Sequence, residues 1–473
     1  MDATELCYTP ATELRRLIDS KGISPVEIAD AVLARIERLN PTLNAFLTVT
    51  ADIARGDARA AEQRQMRGER LSPIDGIPFS IKDLEPTAGV RTTFGSKWFE
   101  HNVPTADGVA AGRLRNSGAI FLGKTNTPHF GYKDMCDNML GEPCQNPWKL
   151  GRTSGASSGG AGAAVAAGLG PLAEGSDLAA SIRQPAAWCG VVGFKPSQGR
   201  VPRHPQTTGW SGLSVNGPLA RTVQDAALMF ATLAGPDPRD PLALPDGGED
   251  WCEAAEESEL GGLRVAWSAD LGGAAPVDAE VARVCAEAAR AFGELGSEPD
   301  EAAPEIGEIR RPFLLLNSGL RQATLGRYLD EWRDRMDPVL VRRLEVTGSA
   351  TAVDVAQADV ARLAYHLRLV AFFERYDLLL LPTAATAALP VDVQFPIEIE
   401  GQAVREPFDM LLPTYAFNFS NFPAISVPAG RTADGLPVGL QIVGGWQQDA
   451  LVLRAAAAFE AARPWADRRP PLE

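Results

Sequence analysis

The chain has 473 residues, enough to bury a large α/β core as one domain or two, and its 45% hydrophobic and 22% charged residues are ordinary for a folded enzyme. The formal net charge is -15 and no basic run is long enough to follow a phosphate backbone, which argues against direct binding to nucleic acid or an anionic membrane. No stretch approaches the ~18 consecutive apolar residues of a membrane span, and the early acidic residues, with no apolar run behind them, do not make a signal peptide.

Cys7, Cys136, Cys144, Cys189, Cys252 and Cys285 form no CxxC pair, so a reduced, cytoplasmic protein without a disulfide framework is expected. His101, His129, His204 and His366 lie far apart with no HxxxH spacing, so no metal site is expected. Only 7 of the 45 basic residues are lysines, all before residue 196. Arginine is the routine surface cation here, and each lysine becomes a better candidate for a role that needs a removable proton.

In chain order, Ser24-Pro25-Val26-Glu27 is a capping box with proline at the first helical position. Val26, Ala29, Val32, Leu33 and Ile36 follow at helical spacing, and Asn40-Pro41 should end the run. Ile77 to Lys82 alternates like a strand end, with Lys82 opposite the Phe79/Ile81 face; Ala119 to Leu122 reads as a buried strand ending at Gly123. Residues 151–170 form a Gly/Ser loop running into an Ala-rich helix, and Cys189 to Phe194 reads as a strand. The polar, acidic stretch 236–262 suits a surface connection between two halves of one fold. Long helices are expected over about 275–295 and 351–376. Asp377 to Leu381 should be a buried strand stopped by Pro382, and Ala424–Val427 and Val438–Val443 should be strands flanking a turn at Asp434-Gly435. Asp449 should cap a final helix. Alternating helices and apolar strands predict an α/β fold with a mixed, mostly buried sheet flanked by helices on both faces.

The densest chemical signal lies between residues 151 and 195. Glycines around Ser157-Ser158 permit a backbone that bulkier residues resist. The turn Gly175-Ser176-Asp177-Leu178-Ala179-Ala180-Ser181 presents consecutive backbone N–H groups before another serine, a nest suited to an oxyanion. A hydroxyl needs a base to become a nucleophile. With histidine scarce, a desolvated lysine is the alternative, since burial disfavours its charge.

Residues 151–195, read with Gly76 to Asp83, closely resemble the amidase-signature family of Ser–cisSer–Lys hydrolases. The resemblance runs over nearly the whole chain and includes Gly123-Lys124-Thr125-Asn126-Thr127-Pro128, Gln145-Asn146-Pro147-Trp148, Gly217 to Thr222 and Leu436 to Gln441. It implies a single domain over 1–473, with a catalytic core of about 60–235 plus 377–465 and a more variable helical part over about 250–376. Position by position, it makes Lys82 the base, Ser157 the serine of the cis peptide and Ser181 the nucleophile, with backbone N–H groups of Leu178, Ala179, Ala180 and Ser181 lining the oxyanion hole. It implies hydrolysis of the C–N bond of linear amides through an acyl-serine, with esters and carbamates (urethanes) passing through the same kind of intermediate. It implies no cofactor, and it suggests a homodimer acting on small molecules, without nucleic-acid or membrane partners.

The chain departs from the family at Ala179-Ala180 and Ala156, where the family has glycines. A left-handed alanine would cost roughly 1–2 kcal/mol, so these backbones must avoid positive φ or carry strain, and the methyls should narrow the acyl side. Two other functions compete. The glutaminase subunit of a tRNA-dependent amidotransferase shares the signature, but its usual Ser-Leu-Asp-Gln is replaced here by Ser211-Gly-Leu-Ser-Val-Asn-Gly217. A catalytically inactive binding homologue would lose the relay, and all three relay positions are present. Gly155-Ala156-Ser157-Ser158-Gly159 also fits the nucleophile elbow of α/β-hydrolases, but no apolar strand precedes it.

Arg183 is better read as a structural ion-pair partner than a substrate clamp, Ser158 as a loop support and Cys189 as an inert core thiol. Specificity should come from parts of 130–145, 204–216, 310–330 and 390–420. Met135, Trp210 and Phe417 are the candidate pocket walls, each equally readable as core.

Overall fold

Strands that are apolar at every position, not at every second one, need cover on both faces. Pro78–Lys82 (β2), Ile120–Thr125 (β3), Leu378–Pro382 (β9) and Pro437–Gly444 (β13) are buried at every residue. The other strands are Phe46–Val49 (β1), Leu172–Asp177 (β4), Val192–Lys195 (β5), Val215–Ala220 (β6), Val265–Trp267 (β7), Asp300–Glu301 (β8), Glu398–Ile399 (β10), Gln402–Ala403 (β11) and Ala424–Arg431 (β12). The computed structural model describes residues 1–206, 209–257, 259–347 and 350–472.

Eleven strands form one mixed sheet in the order β1-β3-β2-β4-β6-β5-β12-β13-β9-β7-β8, and β10 and β11 make a separate hairpin. β2 runs parallel to both β3 and β4, and β9 parallel to β7; the centre from β4 to β9 is antiparallel. The expected α/β class and large mixed sheet are what the structure has.

Several local expectations change. The helix begun by the Ser24 capping box runs on through Pro41 to Leu43 and stops at left-handed Asn44. A proline in the last turn removes only one backbone bond there, and Asn40 instead clasps the main chain of Phe46 at both N and O. β3 continues past Gly123 because Lys124 and Thr125 still pair with Ile81 and Lys82. Cys189 ends the helix Arg183–Cys189, closed by left-handed Gly190, and the strand begins only at Val192. Asp449 leads the helix Asp449–Ala462, but its carboxylate accepts from Ser197 N and Arg200 Nε instead of capping. Over 275–295 the chain makes two helices, Ala279–Ala289 and Ala291–Glu294.

The neighbours β2 and β4 are parallel, so their C-terminal ends emerge together. Clefts in open α/β sheets form at such ends.

Candidate active site

Lys82 is the last residue of β2 and is wholly buried. Its Nζ is hydrogen-bonded to Ser157 Oγ at 2.7 Å, to Ser176 Oγ at 3.0 Å and to the Ser176 carbonyl at 3.1 Å. Burial lowers its pKa from 10.5 to about 7, against the opposing pull of Glu174 and Asp177. Lys124 and Lys195 are also wholly buried, and burial lowers them to about 8 and about 7. Three of the seven lysines thus sit where arginine could not shed its charge.

Ser157 stands in the loop before the helix Gly159–Ala166, and the Ala156–Ser157 peptide is cis. Gly155 supplies a positive φ of 82°; Ala156, Ala179 and Ala180 all avoid that region, so the alanines introduce no left-handed strain. Opposite Ser157 is Gly131, with φ of 69°, where an added Cβ would lie 3.1 Å from Ser157 Oγ and 2.7 Å from a Leu84 methyl. Ser158 joins its loop to β4: its hydroxyl accepts from Ser176 N and donates to Ser176 O, both at 3.3 Å.

Ser181 lies in the short connection between β4 and the helix Arg183–Cys189. That connection is held from below by Asp177, whose carboxylate accepts from Ile182 N and from two nitrogens of Arg183, each at 3.0 Å. Burial alone would raise Asp177, but Arg183 and these donors overcome it and hold it at about 2. Arg183 also reaches Thr414 O, Gln441 and Asn418. It is the structural partner its position suggested. Ser158 N donates to Ser181 O at 3.1 Å, tying the two serine loops together. Among the described residues, no acceptor meets the backbone N–H groups of Leu178, Ala179, Ala180 or Ser181.

Two chambers meet at Ser181. The smaller, about 50 Å³, is bounded by Met135, Ala179, Ala180, Tyr132 and Phe408. The larger, about 650 Å³, is lined by Lys82 and Ser157 together with Phe94, Phe130, Tyr328 and Trp332. Of the proposed walls, Met135 lines the small chamber. Trp210 is 78% exposed and Phe417 is wholly buried in the helix Leu412–Phe419; neither lines either chamber. Apolarity alone does not separate wall from core or surface. The segments 130–145, 204–216, 310–330 and 390–420 all contribute to the chambers, although residues 207 and 208 lie outside the described residues.

Glu174, Ser176, Phe94 and Trp332 escaped the sequence reading, while Phe130 and Tyr328 fall in segments it named. Strand alternation from Ser176 back to Glu174 was the available signal, but the need for it appears only once β4 is known to lie beside β2. Cys189 is buried, and burial pushes its thiol far up, as suits an inert core residue. Among the described residues no cluster of three His, Cys, Asp or Glu side chains could hold a metal ion, and no helix is long and apolar enough to cross a membrane.

The sequence model of the Amidase family matches residues 27–453. The chain is 44% identical to an acylamidase from Rhodococcus erythropolis, over 99% of this chain and 98% of that one. It is 35% identical to a glutamyl-tRNA(Gln) amidotransferase subunit from Moorella thermoacetica, over 99% of each. Its structure resembles the crystal structure of a bacterial aryl acylamidase of the amidase-signature family, with a TM-score of 0.91, 32% identity and 97% of each chain covered.

Proposed function

Because this chain belongs to the amidase-signature family and hydrolyses amide C–N bonds, we propose that Ser181 is the nucleophile, Ser157 the proton shuttle and Lys82 the base. The observation that carries this reading is the set of partners around Lys82 Nζ. A neutral amine has two hydrogens and one lone pair. The Ser176 carbonyl can only accept, so it takes one hydrogen. Ser176 Oγ can take the second, which leaves the lone pair for the hydroxyl of Ser157, 2.7 Å away.

As Ser181 Oγ attacks the carbonyl carbon, its proton passes to Ser157, whose own proton passes to Lys82. The negative oxygen of the tetrahedral intermediate is received by the free N–H groups at 178–181. When the C–N bond breaks, the proton returns from Lys82 through Ser157 to the leaving nitrogen. Water then repeats the cycle on the acyl-enzyme, and the carboxylic acid departs.

The leaving nitrogen must lie where Ser157 can protonate it. Ser157 lines the large chamber and not the small one, which supports the amine in the large aromatic chamber and the acyl group in the small one. An engineered cavity of about 150 Å³ holds benzene. A chamber of about 50 Å³ therefore suits a short acyl chain, as the methyls of Ala179 and Ala180 suggested. Esters and carbamates fit the same chemistry. The six free thiols suit a cytoplasmic enzyme, and the family resemblance suggests a homodimer. An acylamidase is favoured over a glutaminase subunit by the higher identity to the former.

The test is a hydrolysis screen of anilides, aliphatic amides, carbamates and esters with wild type and Ser181→Ala. Wild type should release amine from short-chain acyl amides, and the variant should not. Glutaminase activity appearing only with partner subunits would replace this reading.

A further inference from the structure

Lys82 shares its burial with a carboxyl group. The parallel ladder between β2 and β4 pairs Phe79 with Leu172 and Ser80 with Ala173, then stops. Beyond that point the alternation of β4 turns Glu174 and Ser176 to the same side. Ser176 engages the lysine amine, while Glu174 Oε2 accepts the main-chain N–H of Lys82 at 3.1 Å, a bond the ladder no longer supplies. Glu174 is 1% exposed and its Oε1 meets no partner among the described residues. An ionisable group held this way is costly where an amide or an apolar side chain would fit. It lines the same chamber as Lys82 and Ser157.

Resting on the assignment of Lys82 as base, we propose that Glu174 is a positioning residue acting through that lysine: it pins the lysine's main chain and sets the pH range over which Ser181 can be deprotonated.

The charge on the two groups is linked. When Lys82 takes a proton it becomes a buried cation, and an ionised Glu174 beside it would hold that proton in place. The pair therefore loses its protons in two shared steps rather than one per residue. Burial pushes both groups toward neutrality, lowering Lys82 and, with help from Glu85, raising Glu174, while the charge of each partner opposes this in the other. The other groups facing the pair are Glu85 after β2, Lys124 on β3, Asp177 on β4, Arg203 in the loop before β6, and the thiol of Cys136. Lys124 and Arg203 lower the proton affinity of the pair, and Glu85, Asp177 and Cys136 raise it. None of their side chains accepts the main-chain N–H of Lys82 as Glu174 does.

Glu174→Gln keeps the acceptor for Lys82 N–H and the side-chain size but removes the negative charge. Protonated Lys82 then lacks its counter-charge and releases its proton at lower pH. The experiment measures the rate of Ser181 labelling by a fluorophosphonate from pH 5 to 10, on the full chain, with thermal melts confirming that each variant is folded. The acid limb of E174Q should move to lower pH by about one unit or more. Well below both midpoints, that is about a ten-fold gain in rate relative to each protein's own plateau. Glu174→Met, which fills the space without an acceptor, should show the same displacement and a reduced plateau; it reads the charge effect even if the glutamine variant does not fold. Acid limbs that superimpose on wild type, or that move to higher pH, overturn the proposal. A wild-type rate that is flat from pH 5 to 10 would overturn the role of Lys82 and this proposal with it, so the wild-type curve tells the two failures apart.

Discussion

A lysine can do the work of an imidazole only if it is neutral when substrate arrives. The fold places Lys82, the proposed base, at the end of a strand buried at every position, where desolvation outweighs the attraction of Glu174 and Asp177. The sign for activity follows. Below about pH 7 Lys82 is protonated and cannot accept from Ser157; above it the amine is free. Hydrolysis should rise from pH 6 to 8 and then level off, which a pH series of kcat/KM will read; a flat profile from 6 to 10 contradicts the assignment. That Lys82, Ser157 and Ser181 would share one site was legible in the sequence because glycines and small residues frame them at specific spacings, and all three line the large chamber. Glu174 and Ser176 were not, because their importance comes from strand pairing between segments about 92 residues apart.

At the scale of elements, the connection carrying Ser181, the proposed nucleophile, is held by a buried ion pair. Asp177 at the end of β4 and Arg183 at the start of the next helix are both fully buried, and Arg183 extends the connection to the helix Leu412–Phe419 and to β13 through Thr414, Asn418 and Gln441. Removing one partner leaves the other charge buried and unmatched. Arg183→Ala should therefore cost about 3–5 kcal/mol of stability in a denaturant titration, far more than loss of an exposed pair. Gly131→Ala acts differently: its methyl would press on Ser157 and Leu84 and its left-handed backbone would cost about 1–2 kcal/mol, so turnover should fall by more than that smaller loss of stability accounts for. Local signals placed the capping box at Ser24 and the Ala-rich helix after Ser158. They misplaced Cys189 and Asp449, since an apolar run does not distinguish a buried helix from a strand, and an aspartate at a helix start can be claimed by a distant arginine.

For the whole molecule, one sheet built from strands across residues 46–444 puts β2 and β4 side by side, third and fourth from one edge. Loops at their C-terminal ends then divide the space around Ser181 into a small and a large chamber. The α/β class and buried mixed sheet were legible because the strands read as continuous apolar runs. The chamber walls were legible only in part: Met135 and the segments holding Phe130 and Tyr328 were expected, but Phe94 and Trp332 lie outside those segments and look like core until the fold places them. If the acyl group occupies the small chamber, acetyl and propionyl amides should outrun benzoyl amides of the same amine. Met135→Ala should narrow that gap in kcat/KM by about ten-fold or more, the effect of one or two methylenes in an apolar pocket.

The relay through position 82 is tested most directly by Lys82→Met, a substitution that fills the buried space but cannot take up a proton. The account predicts a folded protein whose turnover of a short-chain anilide falls by about 10³-fold or more. A folded variant that hydrolyses the same anilide at close to the native rate would contradict it.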